Sequence, residues 1–299
     1  MHIALCNRNP DSHMGGDNIQ VFGYKSALEG LGHQVDFHWE LFPNLKGYDY
    51  AILTHATMGW TDRQYQSVVA ADLLFTLVAV FYPGVYSDTT PDRVREMCRK
   101  ANRIVCFSRN EQDEMIAELG LQDITYKFVV VPNGVDKRIF SKGGETAPFS
   151  GFVMSAGRCD RLKQFHLVVK ACKNLGLPVV IAASKWDDGY RDELKAEWDK
   201  ATILDQMGQE ELAKWYRSST AYVCASAGER DNLCILEAAA CGSSVVNTNY
   251  NRGRLNLTAP SVDPGNAEAL QDAISTAYNS SVDYSGEVKD WRDIVRKIL

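Results

Sequence analysis

The segment from Glu229 to Glu237 places two carboxylates around a predicted helix start. It follows a predicted strand, Ala221–Cys224, and a short turn. The first amides of a helix have no partners within it and lie at the positive end of its dipole, so a strand, a turn and a helix start together favour an anion site. We expect the amides of Asn232 and Leu233 to face the phosphate groups of a ligand.

The two carboxylates suit hydroxyl groups, because a carboxylate accepts charge-assisted hydrogen bonds. Glu237 falls about one turn into the predicted helix, where it can accept two hydroxyls of a ribose. Glu229 precedes the helix and can reach the hydroxyls of a sugar. The alternative is that Glu229 is a surface residue and Glu237 a first-turn acid favoured by the dipole, since two glutamates at this spacing are common.

Two cations, Arg158 and Lys163, follow another predicted strand, Phe152–Ala156. An arginine fork and a lysine point charge at the end of a strand can hold an anionic group without a metal ion. Two solvated cations at a helix start are the alternative. No Cys and His cluster has the spacing of a zinc site, so we predict no metal site.

Gly15 and Gly16 precede the predicted helix Ile19–Leu31. Without side chains they let a ligand approach the backbone closely, and a plain flexible loop is the alternative. His13 and Asp17 flank the two glycines and are candidates for contact with a sugar or an acceptor. The loop lacks the G-x-G-x-x-G pattern of dinucleotide sites, so we expect no cofactor.

These candidate residues are spaced along an alternation of predicted strands and helices. The predicted strands are His2–Cys6, Gln34–Phe37, Tyr50–Thr54, Thr76–Phe81, Ile104–Phe107, Phe128–Val131, Phe152–Ala156, Val179–Ala183, Ala221–Cys224 and Ser244–Asn247. The predicted helices are Ile19–Leu31, Glu111–Leu119, Gln164–Leu175, Tyr190–Lys200, Glu210–Ser218, Ile235–Ala240 and Ala267–Tyr278. This order predicts an α/β fold with parallel sheets covered by helices.

A stretch containing two glycines and a proline, residues 141–150, interrupts the alternation, and we place the domain boundary there. The prediction is an N-terminal Rossmann-like domain at 1–145 and a C-terminal one at 146–299. The last helix is a candidate for packing back on the N-terminal domain. Because α/β sheets bind ligands beyond the carboxyl ends of their strands, a cleft between the two domains is the expected site.

The chain has 299 residues, of which 45% are hydrophobic, enough to bury the cores of two domains. Its formal net charge of −6 argues against a protein held on nucleic acid by bulk charge. One basic cluster lies in a helix-like stretch and consists of Arg93, Arg95, Arg99, Lys100 and Arg103. It is typical of a solvated helix face, and the alternative is a surface for an anionic acceptor or for membrane headgroups.

The eight cysteines form no C-x-x-C pair, and several lie in apolar runs, which favours buried free thiols in a reducing compartment. The chain starts directly with a predicted strand, so we expect no signal peptide. The longest apolar run, Val78–Val85, is too short to span a bilayer. We therefore expect a cytoplasmic protein without a transmembrane segment.

Further segments place these residues in the pattern of a known family. Gly15 and Gly16 ahead of a helix, and the E-x7-E spacing of Glu229 and Glu237, belong to that pattern. Three segments add to it: VPNGVD at 131–136, SAGR at 155–158 and QEELAKWY at 209–216. In this order the chain resembles the retaining glycosyltransferase family of GT-B fold, group 1 or family 4-like, from about residue 2 to about residue 275.

The resemblance implies two Rossmann-like domains facing across a cleft, with a nucleoside diphosphate sugar held mainly by the C-terminal domain and an acceptor mainly by the N-terminal one. It implies transfer to an acceptor hydroxyl with retention of configuration, and without a metal or a cofactor. No side-chain nucleophile is evident in the sequence, as expected for a front-face reaction in which the leaving phosphate helps to deprotonate the acceptor. The resemblance makes Glu229, Arg158 and Lys163 catalytic and places Gly15, Gly16, Arg158, Lys163, Asn232, Leu233 and Glu237 on the donor.

The chain departs from the family at several positions. Asn232 stands where the family often has glycine, and NRGR at 251–254 replaces a GG-x-x-E loop. Arg252 and Arg254 in that loop either mark an unusual partner or are solvated. Tyr82 stands near the family's sugar-side histidine, with His55 at the end of the previous strand, and either contacts the sugar or lines a wall.

Other functions stay open from the sequence. They are another GT-B sugar-nucleotide enzyme such as an epimerase or a synthase-like polymerase, a DNA-base glycosyltransferase of viral type, and a non-catalytic sugar-nucleotide-binding module. The acceptor is equally open among small molecules, lipids, glycans, proteins and modified DNA.

Overall fold

The computed structural model describes residues 1–9, 15–184, 188–228, 232–249 and 257–299. Contacts divide the chain into two compact units. The N-terminal unit comprises Met1–Gly134 together with Lys289–Leu299, and the C-terminal unit comprises Val135–Val288. Each unit contains one six-stranded parallel sheet with flanking helices, which confirms the predicted α/β fold with two Rossmann-like units.

The sheet of the N-terminal unit has the strand order β2-β1-β3-β4-β5-β6. Its strands are β1 (His2–Cys6), β2 (Gln34–His38), β3 (Tyr50–Thr54), β4 (Leu74–Val78), β5 (Arg103–Cys106) and β6 (Phe128–Val130). The connecting helices are α1 (Gly16–Gly30), α2 (Gly59–Ala70), α3 (Pro91–Lys100) and α4 (Arg109–Leu119). The apolar residues of β1 and β3 are fully buried, because helices cover both faces of a parallel sheet.

Local signals fix where these helices begin and end. The Thr90 side chain caps the first turn of α3, and the Ser108 hydroxyl caps that of α4. Gly120, with φ of +63°, ends α4 in the left-handed conformation that glycine adopts at no steric cost. These short-range interactions therefore fix the start of α3 and both ends of α4.

The sheet of the C-terminal unit has the strand order β12-β11-β10-β7-β8-β9. Its strands are β7 (Phe152–Arg158), β8 (Val179–Ser184), β9 (Thr202–Leu204), β10 (Ser219–Val223), β11 (Ser244–Thr248) and β12 (Ser261–Val262). Its helices are α5 (Phe165–Leu175), α6 (Asp188–Glu197), α7 (Gln209–Ser218), α8 (Leu233–Ala240) and α9 (Ala267–Ser280). None of the helices in the described parts of the chain is long and apolar enough to cross a membrane.

The last residues of the chain belong to the N-terminal unit. The short helix α10 (Trp291–Ile294) packs on α1, with the Tyr24 and Trp291 rings 5.5 Å apart and edge to face. Gly23 makes room for the indole, since a Cβ atom there would lie 2.5 Å from Trp291. The Thr76 hydroxyl of β4 donates to the Ile298 carbonyl over 2.5 Å, which ties the C-terminus to this sheet.

The glycine-containing stretch at 141–150, where the sequence suggests a boundary, packs on the C-terminal unit. The Arg217 guanidinium donates to the carbonyls of Ile139, Ser141 and Glu145. The Ala147 amide donates to the Ser218 hydroxyl over 2.8 Å. The division between the units therefore falls earlier, at Gly134, and the stretch is held by hydrogen bonds that its composition does not reveal.

The strand order reverses direction once in each sheet. In the N-terminal unit the reversal lies between β1 and β3, and in the C-terminal unit between β7 and β10. The connections leaving neighbouring strands there run to opposite faces of the sheet, which opens a crevice at the carboxyl ends where such folds bind ligands. We call these two places the N-terminal crevice and the C-terminal crevice.

Candidate functional site

The C-terminal crevice is bounded by the end of β7 and by the loop after β10. The Ser155 hydroxyl in β7 donates to the Val223 carbonyl over 2.7 Å. Farther along, the Ala227 amide donates to the Leu162 carbonyl over 2.8 Å. These bonds hold the two loops together and fix the position of the residues that follow β7.

Arg158 and Lys163 are brought together by one carboxylate. Asp160 accepts from Arg158 Nε over 2.7 Å, and it caps the short 3-10 turn Arg161–Lys163 by accepting from the Lys163 amide over 3.2 Å. Arg158 keeps 59% of its side chain exposed, so the guanidinium stands in solvent. Arg158 ends β7 and Lys163 lies in the turn that follows, so both predicted cations lie at the carboxyl end of this strand.

Gly157 lets Lys163 lie close to the backbone of β7. Its φ of +149° is one that side-chain-bearing residues rarely adopt, and a Cβ atom there would lie 3.3 Å from Lys163 Cε. The lysine side chain passes over this glycine. The glycine is thus favoured both by its positive φ at the end of β7 and by the close approach of the lysine side chain.

The helix α8 begins at the C-terminal crevice, with Asn232 as its cap. Asn232 Oδ1 accepts from the Ile235 amide over 3.3 Å, and Nδ2 donates to Cys224 Sγ over 3.3 Å. Asn232 and Leu233 are buried. The Asn232 side chain thus caps the start of the helix. This explains why the chain tolerates a side chain at a position where the family that it resembles often has glycine.

Glu237 is a buried carboxyl on α8. It is 3% exposed, and the Tyr216 hydroxyl donates to its Oε2 over 3.3 Å. Burial raises the pKa of Glu237 to about 7, although the hydrogen bond from Tyr216 opposes the shift. A buried carboxyl with so little compensation has acceptor capacity for the hydroxyls of a ligand.

Several sequence-predicted positions lie outside the described residues. Glu229, the predicted catalytic carboxylate, is one of them. His13, Arg252 and Arg254 are the others. Their predicted roles stay predictions.

The N-terminal crevice holds a nearly buried ion pair beside Gly15. Arg8 donates to both carboxylate oxygens of Asp17, over 2.5 Å from Nε and 2.8 Å from the guanidinium end. A Cβ atom on Gly15 would lie 2.6 Å from Asp17 Oδ1 and 2.8 Å from Arg8, so this position has no space for a side chain. Gly16, also predicted on the donor, opens α1 directly after it.

The charge of Asp17 is stabilised by its partner. Burial raises the pKa of this carboxyl, but the hydrogen bonds from Arg8 and the fields of His55 and Arg8 together hold it below its ordinary value. The side chains of Arg8 and Asp17 are 15% and 11% exposed. The pair is therefore fully ionised, nearly buried and without net charge.

His55 follows β3 and faces this pair. Its Nε2 lies 3.9 Å from Asp17 Oδ2, and neither ring nitrogen has a hydrogen-bond partner. Burial lowers the pKa of His55 to about 4, with Asp17 opposing and Arg8 adding to the shift. The imidazole is therefore neutral at physiological pH. Tyr82, the other candidate for this role, is half-buried after β4.

One structural carboxylate was missed from the sequence. Glu111 is buried and accepts from the Phe81 and Phe107 amides, each over 2.6 Å, so it joins the chain after β4 to the end of β5. The signal was present, since Ser108 followed three residues later by Glu111 is the pattern of a capping box. Glu111 thereby fixes the loop that carries Tyr82.

The basic cluster at Arg93–Arg103 is extensively paired. Arg93 pairs with Asp62 and Glu96. Arg95 pairs with Asp92, and Arg99 pairs with Asp123. Arg103 donates to the Lys297 carbonyl. Lys100 is exposed. This pairing supports the interpretation of the cluster as a solvated helix face.

The sequence of the C-terminal unit matches a known family. Residues 151–280 match the family described as Glycosyl transferases group 1. A D-inositol 3-phosphate glycosyltransferase of Paenarthrobacter aurescens is 30% identical over 58% of this chain and 48% of its own length. One of the same name from Mycolicibacterium smegmatis is 26% identical over 81% of this chain and 57% of its own length. The chain thus spans about half the length of the curated relatives it matches.

Solved structures share the fold of the whole chain. The sucrose-phosphate synthase of Thermosynechococcus elongatus superposes with a TM-score of 0.75 at 18% identity, covering 99% of this chain and 94% of its own. Anabaena HepE in complex with UDP superposes with a TM-score of 0.74 at 14% identity, covering 100% and 95%. The chain therefore has the GT-B type of two-unit α/β fold, and its residues 151–280 match the family described as Glycosyl transferases group 1.

Proposed function

We propose that this protein transfers a glycosyl group from a nucleoside diphosphate sugar to an acceptor hydroxyl, with retention of configuration and without a metal ion. The observation that carries the proposal is the pair of cations at the end of β7, where Asp160 bonds the Arg158 side chain and the Lys163 backbone amide and the Lys163 side chain lies over Gly157. They lie within the segment that matches the group 1 glycosyltransferases.

The chemistry of the leaving group explains why cations belong there. As the glycosidic bond breaks, negative charge grows on the departing diphosphate, and preorganised donors stabilise that charge in the transition state. The exposed Arg158 guanidinium can exchange Asp160 for a phosphate at little cost, because exposed ion pairs contribute little free energy. The start of α8 supplies backbone amides and the positive end of a dipole at the same crevice.

Glu237 suits the nucleoside part of the donor. A buried carboxyl that is poorly compensated gains more from two ribose hydroxyls than a solvated one would. Neighbours of the same fold have been solved with UDP and with UDP-glucose, so a uridine diphosphate sugar is the first donor to test.

We propose a front-face reaction for the transfer itself. The bond from the anomeric carbon to the phosphate oxygen breaks, the acceptor oxygen bonds to the same face of that carbon, and the acceptor proton passes to the leaving phosphate. Arg158 and Lys163 hold the phosphate through this step, and Glu229 is the proposed contact of the sugar hydroxyls.

The eight cysteines are free thiols, which supports a reducing compartment such as the cytoplasm.

A donor screen followed by product analysis tests the proposal. The melting temperature of the purified chain is measured with UDP, UDP-glucose, ADP-glucose and GDP-mannose, because a ligand that binds only the folded state raises it. The stabilising donor is then incubated with a panel of polyols in EDTA, and the anomeric configuration of the product is read by NMR. We expect a product with the donor's configuration.

Each other outcome points to a different function. An inverted product would exclude the front-face reaction, and loss of turnover in EDTA would exclude metal independence. Turnover of the donor sugar without any acceptor would indicate an epimerase or a hydrolase. Tight donor binding with no turnover on the panel would favour a non-catalytic binding module, and no stabilisation by any nucleotide would exclude the proposal.

A further inference from the structure

Unpartnered polar atoms are concentrated at the N-terminal crevice. In the described part of the chain, seven buried side-chain nitrogen and oxygen atoms lack a hydrogen-bond partner. Four of them lie in the segment 55–60, namely both ring nitrogens of His55, Thr57 Oγ1 and Trp60 Nε1. An unmade buried hydrogen bond destabilises the folded state, so such a concentration marks a place where a ligand or water completes the bonds.

The backbone holds His55 at this place under strain. Its φ is +64°, in the left-handed region that side-chain-bearing residues rarely occupy and that is found preferentially at functional sites. The conformation is maintained from both sides, because the His55 amide donates to the Val78 carbonyl over 3.0 Å and the Thr61 hydroxyl donates to the His55 carbonyl over 2.8 Å. The imidazole is thereby fixed at the carboxyl end of β3, where the strand order reverses.

The charges that the described residues place around His55 cancel. Among those residues, the charged groups whose fields act on it are Asp17 and Arg8, and these two are bonded to each other through two hydrogen bonds. With His55 itself neutral, the described residues that bound this crevice offer polar groups without a spare positive charge. A phosphate entering here would lose its hydration without a counter-charge, which is strongly unfavourable.

We infer that the N-terminal crevice binds a neutral polyhydroxylated acceptor, a sugar or a cyclitol, and discriminates against a phosphate group on the part that enters it. This inference rests on the proposed function and names the class of acceptor. A neutral imidazole offers one donor and one acceptor, which matches a hydroxyl group. The Thr57 hydroxyl and the Trp60 N–H add a second hydroxyl partner and a donor.

The acceptor inferred for this chain differs in charge from the one for which its relatives are named. The curated proteins it matches are named for D-inositol 3-phosphate, a phosphorylated cyclitol. Here Arg8, the described cation whose charge acts on the His55 ring, is paired with Asp17. Asp17 acts as a specificity-determining residue, because it occupies the guanidinium that a phosphate would need.

Binding of matched acceptor pairs to the full-length chain tests the inference. The pairs are myo-inositol with D-inositol 3-phosphate, and glucose with glucose 6-phosphate, titrated without donor and followed by ligand-observed NMR. We expect the neutral member of each pair to bind at least about tenfold more tightly, as one uncompensated charge easily outweighs a hydrogen bond. His55→Gln should weaken the neutral member roughly three- to tenfold, the worth of one hydrogen bond.

Asp17→Asn is the decisive variant, because it removes the carboxylate charge that neutralises the Arg8 guanidinium. The preference in each pair should move towards the phosphorylated member by about tenfold or more, since a phosphate gains a charge-assisted hydrogen bond. The matched control is Asp62→Asn, which opens another two-point arginine pair, that of Arg93, with Asp62 15% exposed. The control should leave the preference unchanged, and the melting temperature of every variant checks that it is folded.

The inference is overturned if the phosphorylated member binds as tightly as the neutral one, if neither binds, or if Asp17→Asn and Asp62→Asn give the same preference. Failure of the proposed function would be distinguishable, because no nucleoside diphosphate sugar would then raise the melting temperature. The acceptor titrations contain no donor, so they would still measure the preference between neutral and phosphorylated ligands. Polyol binding that His55→Gln leaves unchanged would also overturn the inference.

Discussion

The two crevices occupy equivalent positions in two sheets and differ in how accessible their cations are. In the C-terminal crevice Arg158 pairs with Asp160 while 59% of its side chain is exposed. In the N-terminal crevice Arg8 and Asp17 are 15% and 11% exposed. An exposed pair is worth about 0–1 kcal/mol and exchanges readily for a ligand phosphate. A buried pair is costly to open, since the partner left behind keeps an uncompensated charge.

In the proposed function, this difference suits the two crevices to two different ligands. A donor carries a diphosphate whose charge must be met by cations that are available, whereas an acceptor hydroxyl needs only neutral donors and acceptors. In the proposed function the same topology meets opposite electrostatic demands, and the side chains just beyond β1, β3, β7 and β10 decide which demand each crevice meets. Changes in the C-terminal crevice should affect turnover, and changes in the N-terminal pair should affect stability.

The largest expected effect is on turnover. Replacing Arg158 and Lys163 together by alanine should lower kcat/KM with UDP-glucose by roughly 10³-fold, because the charge of the leaving diphosphate is no longer stabilised. Unfolding by urea should change little. The control is Arg161→Ala in the same turn, whose arginine is 66% exposed and pairs with Glu193. Equal losses in the control and the double variant would remove any special role for the two cations.

The N-terminal pair should behave in the opposite way. Arg8→Ala leaves Asp17 buried and ionised without a partner, which should lower the free energy of unfolding by about 3 kcal/mol. Adding Asp17→Ala should recover much of that loss, because the uncompensated charge is removed. Urea unfolding of the two single variants and the double variant measures this coupling. Additive losses would mean that the pair is no more coupled than an exposed one.

The pH dependence of stability should also differ between the crevices. The folded state holds a proton on Glu237 with a pKa of about 7 against an ordinary 4.5, so this carboxyl stabilises the fold below pH 4.5 and that contribution is lost as the pH rises through about 7. His55, with its pKa lowered to about 4 from 6.5, acts in reverse, and stability falls as the pH drops below about 6.5.

Glu237→Gln separates the two trends. The amide cannot ionise, so the variant should be more stable than the native chain at pH 8 by about 3 kcal/mol, and the two should converge towards pH 4.5. Chemical unfolding between pH 4.5 and pH 8 measures the difference. A constant difference at all pH values would show that Glu237 ionises as an ordinary exposed glutamate does. Glu268→Gln, an exposed first-turn substitution in α9, is the control.

Much of the sheet architecture could be read from the sequence. The strands His2–Cys6 and Tyr50–Thr54 have the predicted bounds, because strands buried on both faces appear as short continuous apolar runs. The helix Gly59–Ala70 was not predicted. It buries polar side chains, Thr61 and Gln64, against the sheet, and these break the apolar periodicity on which such a prediction depends.

The two crevices were predictable to different degrees. The positions of Arg158 and Lys163 follow from a strand end and a turn a few residues long, and such local geometry is encoded by neighbouring residues. The pairing of Arg8 with Asp17 and the unpartnered His55 depend on contacts between β1, α1 and β3. Sequence alone flagged Asp17 and His55 as candidates but assigned no partner, since nothing in their spacing encodes those contacts.

The smallest expected effect concerns the basic cluster, and it tests whether the acceptor is bound through charge outside the crevices. Replacing Arg95, Arg99 and Arg103 together by glutamine should leave transfer to the preferred acceptor within about twofold, because exposed ion pairs contribute little and the carboxylates of Asp92 and Asp123 already engage two of these guanidiniums. Stability should fall slightly, since Arg103 also holds the Lys297 carbonyl. Transfer rates measured at low and high salt show whether the basic cluster binds the acceptor through charge. If the triple variant lost much of its transfer activity at low salt but kept donor hydrolysis, the acceptor would be a polyanion bound by this cluster. The neutral groups of the N-terminal crevice would then not select the acceptor.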